Sequence, residues 1–241
     1  MVEPIPLDRL VVAIDGPSGS GKSTVARRVA QRLRLRYLDT GSMYRAVAWA
    51  VLDRGVDPRD AELVAELATG VRLVVGTSAR RPTVAVDDQD VTIPIRSREV
   101  TNAVSAVAAV PQVRRQLVAV QRTLIGGGGI VVEGRDIGTA VAPEAAVKVF
   151  LTASEEARAE RRHRQVAREE PTLGMTVTHA ELIRRDHKDS TRDISPLVCA
   201  PDAICVDSTE LGVGDVVAAV LDRCRAVGVV VPTPRRPRAG R

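Results

Sequence analysis

The sequence predicts an α/β fold in which a five-stranded parallel sheet carries helices on both faces. Five short apolar runs, bounded by Gly, Asp or Pro, alternate with stretches of helical periodicity, and this alternation is typical of parallel strands joined by crossover helices. Hydrophobic residues make up 44% of the 241 residues but aromatic residues only 2%. We therefore expect one large core packed from Val, Ala, Leu and Ile.

The predicted strands are the five apolar runs themselves, which are continuous enough to be buried on both faces of a sheet. They cover residues 11–15, 36–39, 130–133, 147–151 and 203–207. Helical periodicity between and after these runs predicts helices at residues 23–33, 43–53, 111–124, 154–169, 179–189 and 213–227.

One region, between about Gly70 and Ser97, breaks this alternation. Runs with a period of two lie close together at residues 71–75, 83–86 and 90–93, separated by polar turns at 76–82 and 87–89. That spacing suits a small antiparallel meander rather than parallel β-α-β units. We interpret the region as an insert in the parallel fold.

The positive charge of the chain is concentrated at its end. Net charge is +5, and the last ten residues hold four arginines and no acid: Arg235, Arg236, Arg238 and Arg241. A tail of Pro, Arg, Gly and Ala, residues 230–241, buries too little apolar area to offset the entropy of ordering it, so we expect it to be disordered. A solvated tail is favoured over one that binds nucleic acid or membrane lipid.

The cysteines favour a reducing compartment. Cys199, Cys205 and Cys224 are odd in number, and their spacings match neither a zinc site nor a secreted disulfide framework. The first residues lack a basic start followed by an apolar run, and no window reaches the roughly 18 apolar residues of a membrane helix. We expect a cytoplasmic protein that does not enter a membrane.

The strongest local signal is the stretch GPSGSGKS at residues 16–23, which satisfies G-x-x-x-x-G-K-[ST] between a predicted strand and a predicted helix. Its glycines let backbone N–H groups turn toward a phosphate, and the following helix adds its positive dipole end. Lys22 is expected to reach the β- and γ-phosphates, and the Ser23 hydroxyl to hold Mg²⁺. The predicted nucleotide-binding residues are Gly16, Pro17, Ser18, Gly19, Ser20, Gly21, Lys22, Ser23 and Thr24.

This motif predicts a nucleoside triphosphate site without identifying what receives the phosphoryl group. A strand-to-helix turn that matches by chance is the weaker alternative, and the fold hosts GTPases, motor ATPases and small-molecule kinases alike. Arginines narrow the choice: Arg45 and Arg135 follow predicted strands, while Arg185 and Arg192 lie in and after a predicted helix. Loops at the carboxyl ends of parallel strands share one crevice, so these cations suit an anionic acceptor.

Five motifs in order resemble those of bacterial cytidylate kinases, within the P-loop nucleoside monophosphate kinase family. They are GPSGSGKS at 16–23, LDTGSMYR at 38–45, NAVSAVA at 102–108, EGRDIGT at 133–139 and RDHKDSTRDISP at 185–196. The resemblance runs from about Leu10 to Val227. It implies a domain at 1–229, with a P-loop kinase core at about 10–40 and 110–227, a monophosphate-binding insert at about 41–109 and a short lid at about 156–172.

The resemblance also implies a reaction and a set of site residues. The γ-phosphoryl of MgATP would pass to CMP or dCMP, giving CDP or dCDP and ADP. Cytosine would be read by Thr40, Arg114, Asp136 and Arg192, the ribose by Ser105, Arg185 and Asp189, and the acceptor phosphate by Arg45 and Arg135. Catalysis would use Lys22, Arg45, Arg135, Arg161 and Arg162. No general base is required, because the acceptor oxygen is already anionic near pH 7.

Some assignments stay open. Thr40 stands where many relatives have Ser, and Glu133 where Asp is frequent; Glu133 supports Mg²⁺ through water or is simply a structural carboxylate. The arginine-rich stretch that contains Arg161 and Arg162 is either a lid or a solvated helix with Glu160–Arg164 pairs, each worth about 0.3 kcal/mol.

Three competing functions share the phosphate cradle: a kinase for AMP, UMP or an unphosphorylated metabolite, a nucleic-acid-dependent ATPase recruited by the tail, and a regulatory nucleotide-binding module. We expect CMP and dCMP as partners, no requirement for nucleic acid, and a monomer, since the lid and the insert must move independently.

Overall fold

The computed structural model describes residues 4–166, 174–192 and 194–233. Its strands are β1 Val11–Asp15, β2 Arg36–Asp39, β3 Leu73–Gly76, β4 Thr83–Val86, β5 Gln89–Asp90, β6 Ile130–Gly134, β7 Val147–Thr152 and β8 Ile204–Asp207. Its helices are α1 Lys22–Leu33, α2 Thr40–Asp53, α3 Ala61–Gly70, α4 Arg98–Ala109, α5 Pro111–Ile125, α6 Glu155–Val166, α7 Met175–Thr191 and α8 Val213–Ala226. A short 3-10 turn covers Pro94–Arg96 and a π-helical turn covers Ile137–Val141.

The central sheet is parallel and has the strand order β2-β6-β1-β7-β8. Asp15 pairs in register with Gly134, and Asp39 pairs with Glu133. The carboxyl ends of β1, β2 and β6 therefore lie level at one edge of the sheet. The predicted five-stranded parallel sheet is confirmed.

Alternate residues of β1 face opposite layers of the core, because successive side chains of a strand point to opposite faces. Val12 and Ile14 belong to the cluster formed with α1 and α8. Ala13 belongs to the cluster formed with α2 and α5. The predicted helices on both faces of the sheet are thus confirmed, and the core is built almost entirely from aliphatic side chains.

The second sheet is antiparallel, with the order β3-β4-β5. Its last strand covers Gln89–Asp90 rather than the predicted residues 90–93. The Asp90 carboxylate accepts a hydrogen bond from Thr92 N at 2.9 Å, and Pro94, which has no N–H, begins the 3-10 turn. The chain therefore leaves the sheet earlier than the period-two pattern indicates.

Two helices, α3 and α4, were not predicted. Asp60 caps α3 by accepting a hydrogen bond from Leu63 N at 3.1 Å, but only Val64 and Ala68 of this helix are buried. A helix that buries so few residues has a weak apolar stripe. In α4, which Ser97 caps, the buried residues do have the i, i+3, i+4, i+7 spacing of a helix, so this signal was present in the sequence and was overlooked: Val100, Ala103, Val104, Val107 and Ala108.

Helix ends differ from the prediction by a few residues, as is usual for helix boundaries. The Asp39 side chain accepts a hydrogen bond from Ser42 N at 3.0 Å, so α2 begins at Thr40 directly after β2. The predicted end of the fourth helix at residue 169, the lid residues 167–172 and the tail residues 234–241 lie outside the described residues. Among the residues that are described, no helix is both long and apolar enough to cross a membrane.

Candidate active site

A cavity of about 1140 Å³ lies over the level carboxyl ends of β1, β2 and β6. Every predicted site residue lines it except Gly16 and Pro17, which form the start of the loop beneath it. The lining includes Ser18, Gly19, Ser20, Gly21, Lys22, Ser23, Thr24, Thr40, Arg45, Ser105, Arg114, Arg135, Asp136, Arg161, Arg162, Arg185, Asp189 and Arg192. Residues scattered over the sequence are therefore brought to one place by the parallel topology.

The glycine-rich loop follows β1 and leads into α1. Gly16 has a φ of +146°, and a Cβ atom added there would lie 2.0 Å from the Leu151 carbonyl oxygen, so only glycine fits. Gly21, with a φ of +94°, immediately precedes the first residue of α1. The loop thus wraps tightly in front of a helix N-terminus, the arrangement that binds phosphate groups.

The Lys22 ammonium is held within this loop. It donates hydrogen bonds to the Pro17 carbonyl oxygen at 2.7 Å and to Ser20 Oγ at 3.4 Å. Burial, with a further contribution from Arg135, lowers the pKa of Lys22 to about 7. A negative group in the cavity would oppose both effects, because it favours the charged form of the ammonium.

Two arginines that face the same cavity also have lowered pKa values. Burial lowers the pKa of Arg45, and Arg185 and Arg162 lower it further. Burial and Arg135 lower the pKa of Arg185 to about 10. A cluster of largely buried cations that disfavour one another's charge fits a polyanionic ligand such as a nucleotide phosphate chain.

One end of the cavity combines a carboxylate with two guanidinium groups. Arg114 of α5 forms an ion pair with Asp136, and its side chain is only 2% exposed. Arg192 Nη2 lies 3.9 Å from Asp136 Oδ1 and makes no hydrogen bond within the described part of the chain. The Tyr44 ring supports this arrangement from α2, with its centroid 5.3 Å from Arg114 Cζ. The set presents acceptors and donors side by side.

Thr40, the first residue of α2, lies nearby and is almost fully buried. Its hydroxyl donates a hydrogen bond to the Glu133 carbonyl oxygen at 2.8 Å, so its lone pairs are left as acceptors. A Cβ atom at Gly134 would lie 2.6 Å from Thr40 Oγ1. The glycine of the EGRD stretch therefore leaves room for the Thr40 hydroxyl.

Asp189 of α7 draws arginines together in the middle of the cavity. It accepts a hydrogen bond from Arg135 Nε at 3.0 Å and lies 4.0 Å from Arg185 Nε. Burial acts to raise the pKa of Asp189, but Arg135, Arg185 and Arg192 together hold it below its usual value. Asp189 is therefore ionised, and it orients the cations beside it.

Arg45 reaches the cavity from α2 and is fixed by the region of the antiparallel sheet. Its Nη1 donates to Thr101 Oγ1 at 2.8 Å and to the Ile95 carbonyl oxygen at 3.3 Å. Ser105 lies one helical turn after Thr101 in α4, on the same wall of the cavity. These contacts join α2 and α4 at the site.

The arginines of α6 have distinct positions. Arg161 Nη1 donates to Ser208 Oγ at 2.9 Å in the loop after β8, and Arg162 also lines the cavity. Glu160 and Arg164 form an exposed pair at 3.5 Å, so the expected solvated i,i+4 contact is present. Arg164 also lines the cavity, so α6 contributes three arginines to the site, one of which is paired and exposed to solvent.

Several functional positions were missed from sequence. Arg158 donates to the Ser18 carbonyl oxygen at 3.1 Å and pairs with Asp186, whose carboxylate accepts from Ser18 N at 3.1 Å. Asp15 accepts hydrogen bonds from Ile137 N and Gly138 N, both at 2.8 Å. Burial raises the pKa of Asp15 to about 6. The acid directly before the glycine-rich motif was the available signal for Asp15. Asp186 lies in the RDHKDSTRDISP motif at 185–196, but nothing in that motif indicated a contact with the glycine-rich loop.

Glu133 is buried at the end of β6 beside the loop. It accepts a hydrogen bond from the Tyr37 hydroxyl at 2.6 Å and one from the Ser23 side chain. Burial and Asp39 raise the pKa of Glu133 to about 7. Within the described residues, no group of three or more His, Cys, Asp or Glu side chains could hold a metal ion.

Comparison with known proteins assigns this arrangement to a family, because the family model described as cytidylate kinase matches residues 12–226. The chain belongs to the cytidylate kinase family. The cytidylate kinase of Rhodococcus opacus (strain B4) is 51% identical over 213 residues, which cover 88% of this chain and 93% of that protein. The cytidylate kinase of Streptomyces griseus subsp. griseus is 50% identical over 214 residues, covering 88% and 91% respectively.

Similarity to solved structures bears on the fold alone. An uncharacterized protein from Eubacterium ventriosum ATCC 27560 superposes with a TM-score of 0.50 at 12% identity, covering 90% of this chain and 99% of that one.

The predicted family and enzyme class are confirmed by the family match. This cytidylate kinase family member is a nucleoside monophosphate kinase, and its family supports phosphoryl transfer to CMP.

Proposed function

We propose that the enzyme transfers the γ-phosphoryl of MgATP to CMP or dCMP, giving CDP or dCDP and ADP. The observation that carries this proposal is the pairing of Asp136 with Arg114 and Arg192 in the same cavity as the glycine-rich loop. A phosphoryl donor and a cytosine base can therefore lie in one enclosed space.

Cytosine recognition follows from the chemistry of these three side chains. The Asp136 carboxylate accepts a hydrogen bond from the exocyclic amino group, while guanidinium groups donate to the ring nitrogen and the carbonyl oxygen. Uracil has a carbonyl in place of the amino group, so its oxygen would face the carboxylate without a proton between them. A site built this way rejects the wrong base because its buried polar groups lose their partners.

The sugar and the acceptor phosphate occupy the middle of the cavity in this proposal. Asp189 and Ser105 offer acceptors for ribose hydroxyls, and Arg185 lies beside them. Arg45 and Arg135 neutralise the acceptor phosphate. Because Asp189 holds Arg135 Nε at 3.0 Å, one carboxylate orients both the sugar and a phosphate-binding cation.

ATP binds with its phosphates in the loop of residues 16–24, where Lys22 and the backbone N–H groups at the start of α1 face the cavity. Ser23 would hold Mg²⁺, which neutralises phosphate oxygens when bound. The Ser23 hydroxyl bonds to Glu133, and the lack of a metal cluster among the described residues fits an ion held chiefly by the nucleotide.

Transfer then needs positioning and charge neutralisation more than proton transfer. The attacking oxygen of the monophosphate is already anionic, so no general base is assigned. Lys22, Arg45, Arg135, Arg161 and Arg162 surround the region between the two nucleotides and stabilise charge on the transferred group. Exclusion of water by the α6 segment prevents hydrolysis of ATP.

The larger organisation is proposed on the same basis. The core at about 10–40 and 110–227 binds ATP, the insert at about 41–109 binds the monophosphate, and residues 156–172 act as a lid. We assign the reaction to cytoplasmic pyrimidine nucleotide metabolism, carried out by a monomer without nucleic acid.

The test is an acceptor panel with saturating MgATP and CMP, dCMP, UMP or AMP as the second substrate. We expect CMP and dCMP to be phosphorylated at kcat/KM values at least about tenfold above those of UMP and AMP. Equal use of UMP, or ATP hydrolysis stimulated by DNA or RNA without a diphosphate product from any monophosphate, would contradict the proposal.

A further inference from the structure

Two cysteines lie in contact where the segment between α7 and β8 meets the edge strand β8. Cys199 Sγ is 3.1 Å from Cys205 Sγ, and both residues are exposed. Cys199 belongs to the segment between α7 and β8, and Cys205 lies within β8. A disulfide requires a sulfur separation of about 2.05 Å, so a movement of about 1 Å joins the two side chains.

Of the three cysteines, only Cys199 and Cys205 are placed to form a disulfide with each other. β8 is at the edge of the sheet, so Cys205 is accessible from one side. The Ala203 N–H bonds to the Ala200 carbonyl oxygen at 3.0 Å and turns the chain between the two cysteines. The third cysteine, Cys224, is a fully buried core residue of α8 and cannot compete.

The Cys199 segment is tied to residues of the acceptor site. It begins at Arg192, whose Nε donates to the Ser195 carbonyl oxygen at 2.6 Å. Leu197 N donates to the Asp189 carbonyl oxygen at 2.9 Å. A restraint on Cys199 therefore acts through its own segment on the Arg192 side chain and on the backbone of Asp189, two residues assigned to the monophosphate.

The strand that carries Cys205 leads to the opposite end of the site. β8 ends at Asp207, and the next residue, Ser208, lies with its Oγ 3.2 Å from the Ser20 carbonyl oxygen of the glycine-rich loop. Arg161 also donates to Ser208. A covalent bond between the cysteines would thus fix the Cys199 segment to β8, the strand that leads to the glycine-rich loop.

We propose that Cys199 and Cys205 are a thiol–disulfide modification site, and that the disulfide restrains the Arg192 segment and lowers the use of the monophosphate. The effect on activity rests on the proposed function. Formation of the disulfide does not.

The oxidant is a hydroperoxide. The Cys205 sulfur attacks its terminal oxygen, giving a sulfenic acid and an alcohol, or water from hydrogen peroxide; Cys199 sulfur then attacks the sulfenic sulfur and releases water. Two thiols and one hydroperoxide become one disulfide, one alcohol and one water. Burial and the hydrogen bond with Cys205 raise the pKa of Cys199 to about 11, so Cys199 acts second. An added dithiol reduces the Cys199–Cys205 disulfide back to two thiols by thiol–disulfide exchange.

The first experiment treats the purified full-length chain with one equivalent of hydrogen peroxide and measures intact mass and the cross-linked peptide. We expect a loss of about 2 Da and a Cys199–Cys205 link, with the melting temperature raised by about 5 °C because the unfolded chain is restrained. Cys199→Ser and Cys205→Ser should lose all three signals, and Cys224→Ser, the matched control, should keep them. No link, or an equal loss of 2 Da in Cys199→Ser, would overturn the site.

The second experiment compares oxidised and reduced enzyme in the kinase assay. We expect oxidation to lower kcat/KM for CMP about tenfold while KM for ATP changes less than about twofold, with full recovery after dithiothreitol. An unchanged kcat/KM for CMP in fully cross-linked enzyme would overturn the restraint. If the reduced enzyme fails to phosphorylate CMP at all, the proposed function falls while the mass result stands by itself.

Discussion

The Asp186 carboxylate accepts a hydrogen bond from the Ser18 N–H at 3.1 Å, which attaches α7 directly to the glycine-rich loop. The other Asp186 oxygen pairs with Arg158 of α6, and Arg158 donates to the Ser18 carbonyl oxygen. Since α7 also carries Arg185 and Asp189, one carboxylate connects the donor loop, the α6 segment and the acceptor side.

Asp186→Ala tests this connection. Removing the carboxylate leaves Arg158, whose side chain is only 7% exposed, without its charged partner, and we expect unfolding free energy to fall by about 3 kcal/mol. KM for ATP should rise together with KM for CMP. Asp222→Ala is the matched control, because Asp222 pairs with Arg225 on the surface at exposures of 70% and 53%. If Asp186→Ala changes the unfolding free energy and the two KM values no more than Asp222→Ala does, the Asp186 contacts do not position the glycine-rich loop.

Lys22→Met tests the phosphate cradle. The substitution removes a cation placed at the transferred phosphoryl group, so we expect kcat to fall by about 10²-fold or more. Stability should not fall, because the buried ammonium is itself disfavoured: its folded pKa lies below the unfolded value. Steady-state kinetics and thermal unfolding check both points. Activity within a few-fold of wild type would contradict the assignment of Lys22.

Proton uptake on ATP binding tests the electrostatics of the loop. The pKa values of Lys22 and Glu133 are both about 7 in the free protein, and added phosphate charge raises both, so binding at pH 8 should take up protons. Calorimetry in buffers of different ionisation enthalpy measures the number. Lys22→Met should reduce the uptake, and the uptake should shrink at pH 6, where both groups are already protonated. Proton release at pH 8 would contradict the pKa directions.

The lowered pKa of Lys22 also predicts how the unfolding free energy changes with pH. Because the pKa of Lys22 is near 7 when folded and near 10.5 when unfolded, folding releases a proton between these values. The penalty of burying the ammonium is therefore complete below pH 7 and is lost as pH rises toward 10.5. Denaturant unfolding of wild type and Lys22→Met should show the variant's advantage shrinking over that window, and a constant difference would contradict it.

The sequence allowed the parallel sheet and most of the cavity lining to be predicted, because these depend on local patterns. Apolar runs indicate β1 and β6, and the glycine-rich motif is recognised by its residue types and by its place between a strand and a helix. The Asp186–Ser18 contact joins residues 168 positions apart, and no local pattern encodes such a pairing. The Cys199–Cys205 contact was likewise hidden, since it depends on the turn that brings a loop against an edge strand.

The most direct measurement of the central claim is the ratio of kcat/KM for CMP to that for UMP, at saturating MgATP, in wild type and Asp136→Asn. Asparagine keeps the shape of the side chain beside Arg114 but replaces a pure acceptor with a group that can also donate. We expect the wild-type ratio to exceed about 10 and to fall by at least about tenfold in the variant, while KM for ATP changes little. A ratio near one in wild type, or an unaltered ratio in Asp136→Asn, would contradict recognition of cytosine by Asp136.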